Sequence, residues 1–217
     1  MENPLESYWH VRLERLQKRL EANRFEVFVA PGPDEAKEIV LRTIVPGTGA
    51  ATVAWGGSRT FRDTGLPRSL REHPGLEFVD PFAPGLSLEQ SQALRRRAFS
   101  ADLFITGTNA ITEAGQLVNL DRSGNRVAAI AFGPRYVVLL VGRNKVVADL
   151  AAAMRRVKEQ AAPLVARWLD AETPCAVTSL CGDCSAPQRV CNTWGIVEKS
   201  YPAGRLKVIL INQDLGF

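Results

Sequence analysis

The sequence predicts a three-layer α/β domain with a mostly parallel sheet and one inserted hairpin. Three observations carry this. Short β-branched apolar runs alternate with helical patterns along most of the chain. One run, YVVLLVG at 136–142, is apolar throughout, as expected of a strand buried on both faces. Near the middle, QLVNL and RVAAIAF flank the turn-rich Asp121-Arg122-Ser123-Gly124-Asn125, which reads as an antiparallel hairpin. With 217 residues, 46% hydrophobic and 23% charged, the chain can bury one sizeable core.

The elements follow in order. Trp9, Leu13, Leu16 and Leu20 recur at helical spacing between charges, giving an amphipathic first helix. FEVFVA (25–30) has strand composition, and a Pro-Gly-Pro turn leads into a helix over 34–45. ATVAW (51–55) is a second strand that runs directly into Gly56-Gly57-Ser58, and EFVD (77–80) is a third. Ser87-Leu88-Glu89-Gln90 fits a capping box, opening a helix that ends near Phe99. DLFIT (102–106) is a short buried strand stopping at Gly107. After YVVLLVG, Asn144 is placed to cap a helix on which Val147, Leu150, Ala151 and Met154 share one face. KVILI (207–211) is the last strand. The expected division is an α/β core with its N-terminal helix over residues 1–170, a cysteine-rich metal or cluster segment over 171–205, and a strand over 206–217 that returns to the core.

The four cysteines, Cys175, Cys181, Cys184 and Cys191, crowd into TPCAVTSLCGDCSAPQRVC. A Cys-x-x-Cys pair with one cysteine on either side can wrap four thiolates around a single centre, and soft sulfur donors select zinc or an iron–sulfur cluster. The spacing does not choose between those two. A redox dithiol, two structural disulfides or four unrelated thiols are the competing readings. The N-terminal residues are charged throughout, without a signal-peptide core, and no apolar run is long enough to span a bilayer. A cytoplasmic protein with reduced thiols is therefore expected, which weakens the disulfide reading.

The net charge is +4 and the pI about 9.0. The densest basic run, Arg95-Arg96-Arg97, reads as a solvated helical face with no aromatic residues interleaved to stack bases. No nucleic-acid partner is expected, and scattered arginines suit small anionic metabolites.

In a parallel sheet the ligand cleft lies outside the carboxyl ends of the strands. Two loops fall there by pattern. Gly56-Gly57-Ser58 can offer backbone N–H groups to an anion, especially with a helix starting at Ser58. The stretch 106–115 brings Thr108 and Asn109 as hydrogen-bonding groups and Glu113 as a carboxylate with no sequence-adjacent cation. In a partly dry cleft Glu113 would serve as general base or carboxylate nucleophile, and the competing reading is an exposed acid on a tight turn. His10 and His73 read as surface residues, and Asp121 and Arg122 as turn residues.

Taken together, AWGGSRTFRDTGL, the central ITGTNAITEAGQLVNLDRSGNRVAAIAFGPRYVVLLVGRNKVVADL and TPCAVTSLCGDCSAPQRVCN resemble the LUD domain, the lactate-utilisation family of bacterial proteins. The resemblance runs from about Trp9 to Phe217 and is to the stand-alone form that carries its own cysteine segment. It implies a fold related to ribose-5-phosphate isomerase, glucosamine-6-phosphate deaminase and CoA transferases, and a cytoplasmic role in oxidising lactate or other 2-hydroxy acids, with redox partner subunits. Thr112-Glu113-Ala114-Gly115 is similar to the Ser-Glu-Asn-Gly nucleophile turn of those CoA transferases, with Ala114 standing where that motif has asparagine. Two functions are expected ahead of a plainer third, a small-molecule sensor or scaffold subunit without catalysis. One is a redox accessory protein holding a centre on Cys175, Cys181, Cys184 and Cys191. The other is an isomerase- or transferase-type enzyme using Glu113 in a cleft lined by Gly56, Gly57, Ser58, Thr108 and Asn109, with a structural zinc on the thiolates.

Overall fold

The computed structural model describes residues 4–217. Helix α1 (Pro4–Ala22) buries Leu13, Leu16 and Leu20, one stripe of its surface, against the sheet. Strand β1 (Glu26–Ala30) leads into α2 (Pro33–Glu38), which passes through a π-helical stretch into α3 (Val45–Thr48). Strand β2 (Thr52–Trp55) is followed by α4 (Arg59–Asp63), α5 (Leu66–Arg71) and β3 (Glu77–Val79). Helix α6 (Leu88–Arg97) opens with the expected capping box, both the Ser87 and Gln90 bonds being present.

Strands β4 (Leu103–Gly107) and β5 (Ala110–Thr112) precede β6 (Leu117–Asp121), α7 (Asn125–Ala131) and the wholly apolar β7 (Tyr136–Gly142). A two-residue strand β8 (Val146–Val147) precedes α8 (Leu150–Arg156), which continues through another π-helical stretch into α9 (Ala162–Trp168). The short α10 (Pro174–Thr178), β9 (Thr193–Val197) and β10 (Leu206–Ile211) complete the chain.

The main sheet has six strands in the order β1-β10-β7-β4-β2-β3, and every pairing in it is parallel. Alternate residues of its strands serve two cores. Phe104, Val137, Leu139, Val141, Val208 and Leu210 face α1, α7 and the second sheet. Leu103, Ile105, Val138, Leu140, Ile209 and Ile211 face α2 to α5. Helices on both faces make the three layers, and all of β4 and β10 is buried between them. The second sheet has the order β8-β5-β6-β9, with β5–β6 and β6–β9 antiparallel.

Two local expectations are corrected. The inserted hairpin is β5–β6, turning at Glu113 to Gln116, and not one across residues 121–125. RVAAIA belongs to α7, whose three alanines among seven residues favour a helix and whose Ala129 and Ile130 are buried. Asn144 does not cap α8, because β8 intervenes. Asp149 does so, its Oδ1 accepting from Ala152 N at 2.8 Å. Among the described residues no helix is long and apolar enough to cross a membrane.

Candidate functional site

Loops after β2, β4 and β7 converge at the carboxyl edge of the main sheet, the position where parallel sheets leave a crevice. They enclose a cleft of about 470 Å³, walled on the other side by α9 and the C-terminal Phe217. Ser58 starts α4 there, its Oγ accepting from Phe61 N at 3.2 Å. Trp55 packs between Phe61 and Phe82, with ring centroids at 4.8 and 4.5 Å, and is pinned by donating from Nε1 to Asp80 at 2.8 Å. The Arg62 guanidinium lies over both Trp55 and Trp168 at 5.3 Å from each ring, so two aromatic faces hold it, with no ion pair among the described residues.

The lining is strongly cationic. Arg59, Arg62, Arg95, Arg122, Arg126 and Lys145 surround the space, and among the described residues Asp121 is the one side-chain carboxylate in the lining. Arg59 is engaged with Asp63 at 2.6 Å. Arg126 is buried and holds the cleft loop together: it donates to Asn119 Oδ1 at 2.7 Å, Asn109 Oδ1 at 2.8 Å, Leu120 O at 3.0 Å and Gly107 O at 3.2 Å. Those bonds satisfy carbonyls that would otherwise be stranded away from water.

Lys145 is only 3% exposed, yet it lines the cleft. Its Nζ donates to Thr60 Oγ1 at 2.6 Å, and no ion pair reaches it among the described residues. Burial, reinforced by the nearby charges of Arg156 and Arg126 and partly offset by Asp63, pulls its pKa down from 10.5 to about 7. The amine is thus substantially uncharged at neutral pH.

Gly57, Ser58, Thr108 and Asn109 line the cleft. Thr108 and Asn109 shape it through their own bonds. The Thr108 hydroxyl is directed at Ala110 O and Val118 O at 3.0 and 3.2 Å, and Asn109 Oδ1 accepts from Leu120 N and Arg126. Gly56 does not line it. A Cβ there would come within 2.7 Å of Phe104 Cζ, so its small size serves packing.

Glu113 is not brought to the cleft. It sits at the β5–β6 turn, where Arg12 of α1 donates to Oε1 at 2.8 Å, and its surroundings are Tyr8, Val11 and Arg15 of the same helix. The cation that neutralises it comes from a distant element, which sequence adjacency could not show. Arg95, Asp121 and Arg122, expected on the surface or in a turn, belong to the cleft lining. Lys145, Arg126 and Arg62 were missed. For Arg126 the signal was a single cation opening the otherwise apolar RVAAIA, whereas Lys145, beside Arg143 and Asn144 in GRNKVV, carried none.

The four cysteines are free thiols, each half-buried, and all of them line one small hollow of about 10 Å³. Arg189 donates to the backbone carbonyls of Cys184 and Cys191, folding the loop around that hollow. Lys158 is bonded to Asp183 at 2.7 Å, and its pKa is raised first by that bond and further by Cys191 and Cys181. Among the described residues no group of three or more His, Cys, Asp or Glu side chains is set to hold a metal ion. The donor chemistry fits a thiolate-bound metal, whereas the spacing of the sulfurs does not yet close on one. The hollow and the cleft share two wall residues, Ala162 and Val190.

A DUF162 family protein from Deinococcus radiodurans, known from a crystal structure at 1.70 Å resolution, has the same overall fold. The TM-score is 0.52 at 15% sequence identity, covering 93% of this chain and 97% of that one. No curated protein matches the sequence. The LUD domain matches residues 13–211, a span that runs from the buried face of α1 through β10 and takes in the cleft loops and all four cysteines. The chain therefore belongs to the LUD domain family.

Proposed function

We propose that this protein binds a small organic anion in its cationic cleft and serves the utilisation of lactate or a related 2-hydroxy acid. The observation that carries the reading is the lining itself: among the described residues five arginines and Lys145 stand against one side-chain carboxylate, Asp121, around about 470 Å³, a volume within the usual range of metabolite sites. Arginine forks match carboxylate geometry with two parallel N–H bonds, and Arg62 is paired with no carboxylate among the described residues. The family's link to lactate supplies the substrate class.

Titration calorimetry with lactate, pyruvate and the neutral analogue lactamide tests it. The two acids should bind saturably and more weakly as salt is raised, and lactamide should not bind. Equal binding of lactamide, or no saturable binding of either acid, would overturn the reading.

A second reading concerns Cys175, Cys181, Cys184 and Cys191, and what supports it is the single hollow that all four line. As thiolates they would hold zinc or an iron–sulfur cluster, and the metal would supply either structural cross-linking or electron transfer. Closure of the sulfurs would then accompany metal binding. Metal and acid-labile sulfide analysis after anaerobic purification separates the two: zinc without sulfide, iron with sulfide, or neither, the last of which ends the metal reading.

A further inference from the structure

We propose that Lys145 is a nucleophilic amine that captures the carbonyl carbon of a small 2-oxo acid as an imine within the cleft. The inference rests on the anion-binding reading above and adds a covalent step to it. Lys145 faces a ligand-sized space, and among the described residues its one bonded partner is the neutral hydroxyl of Thr60 at 2.6 Å. The contrast with Lys207 is informative. That lysine is equally buried, at 5% exposure, but its Nζ is paired with the Glu26 carboxylate and lies over the Tyr136 ring. A lysine kept for structure is given a counter-charge, because an unpaired buried ammonium is costly. Lys145 is given cations instead, Arg126 and Arg156, with Asp63 as the one acid felt nearby. Desolvation beside other cations is the environment that turns lysine into a nucleophile at neutral pH.

The surroundings also leave an approach to the nitrogen. Gly107 presents no side chain, and a Cβ at that position would lie 3.7 Å from Nζ. A 2-oxo acid has a carboxylate for the arginine forks and an electrophilic carbon one bond away, so its charge can be held in the same cleft that contains the amine. The step balances without a cofactor. The Nζ lone pair forms the C–N bond as the carbonyl π pair moves to oxygen. One N–H proton reaches that oxygen to give the carbinolamine. The second N–H proton then leaves with the oxygen as water, and the C=N bond remains. Thr60, already bonded to Nζ, is placed to relay the proton.

Borohydride trapping tests this on the wild-type protein, with pyruvate as the probe. Hydride reduction of the imine carbon makes the link permanent, and peptide mapping by mass spectrometry locates it. The expected result is an adduct that requires both pyruvate and borohydride, maps to Lys145 in preference to the exposed lysines, and is suppressed by excess lactate. Calorimetry on the same sample keeps the two claims apart. Pyruvate that binds without any Lys145 adduct, or adducts spread evenly over surface lysines, overturns the imine and leaves the anion site intact. Absence of pyruvate binding overturns both. Lys145→Met, checked for folding by circular dichroism, should lose the adduct entirely, and persistence of the same mass shift in that variant would overturn the assignment.

Discussion

Arg12 on α1 donates to Glu113 Oε1 at 2.8 Å, tying the first helix to the turn between β5 and β6. The most suggestive carboxylate in the sequence is therefore a strut between two elements. Asn23 adds a second tie, donating to Ala114 O at 2.9 Å from just beyond the end of the same helix.

Glu113→Gln should leave lactate and pyruvate affinity within about twofold of wild type. The side chain is half exposed, so the lost ion pair should cost no more than about 1 kcal/mol. Calorimetry and urea unfolding measure the two quantities. A large loss of binding with stability unchanged would return Glu113 to the ligand site.

Arg62→Met should weaken binding of either acid by on the order of tenfold, since one charge-assisted fork is removed from an otherwise intact cleft. The salt dependence should flatten in the same variant. Tryptophan fluorescence is a convenient readout because Arg62 lies over Trp55 and Trp168. Affinity and salt dependence equal to wild type would show that the ligand is held elsewhere.

The depressed pKa of Lys145 has a definite sign in stability. Folded, the group titrates near 7, and unfolded it titrates near 10.5, so between those values the unfolded chain binds more protons. Stability from this group should rise with pH across that window, by up to about 1.4 kcal/mol per pH unit, and be flat below it. The charged groups bearing on it are Arg156, Arg126 and Asp63. Lys145→Met should remove this contribution, measured as the difference between the two proteins' urea midpoints from about pH 7 to about pH 9. Parallel pH profiles would show that Lys145 is fully protonated in the folded state.

Cys184→Ser should lower bound metal and speed proteolysis within residues 171–205 before the main sheet is cut. That region has few regular elements, so metal ligation would contribute much of its order. Elemental analysis and timed digestion follow the two effects. Unchanged metal content together with unchanged protease resistance would argue decisively for four independent thiols.

Elements whose residues obey one physical demand were legible in the sequence. Residues 137–141 and 208–211 had to be buried on both faces, and their unbroken apolar character says so. The α7 stretch met two demands at once. Its apolar residues suited strand or helix, and only its alanine content separated them. Strand β9 was hidden because it is an edge strand of mixed character, half exposed, and lies in the stretch read for its cysteines.

The cleft was legible as a place and not as a chemistry. Gly57 and Ser58 follow a strand, which locates the crevice by rule. Its basic groups come from Arg62 on α4, Arg126 on α7 and Lys145 after β7, elements far apart in sequence that only the completed sheet gathers.

That gathering has an order in time. β10 lies between β1 and β7, and β1 has no other partner in the main sheet. During synthesis β1 emerges early but finds its neighbour only when Leu206–Ile211 have been made. Until then β1 and β7 each present an unpaired edge, with α1 covering an incomplete core. Residues 206–211 are thus the keystone of the main sheet: a chain lacking them would leave β1 unpaired and expose the edge of β7.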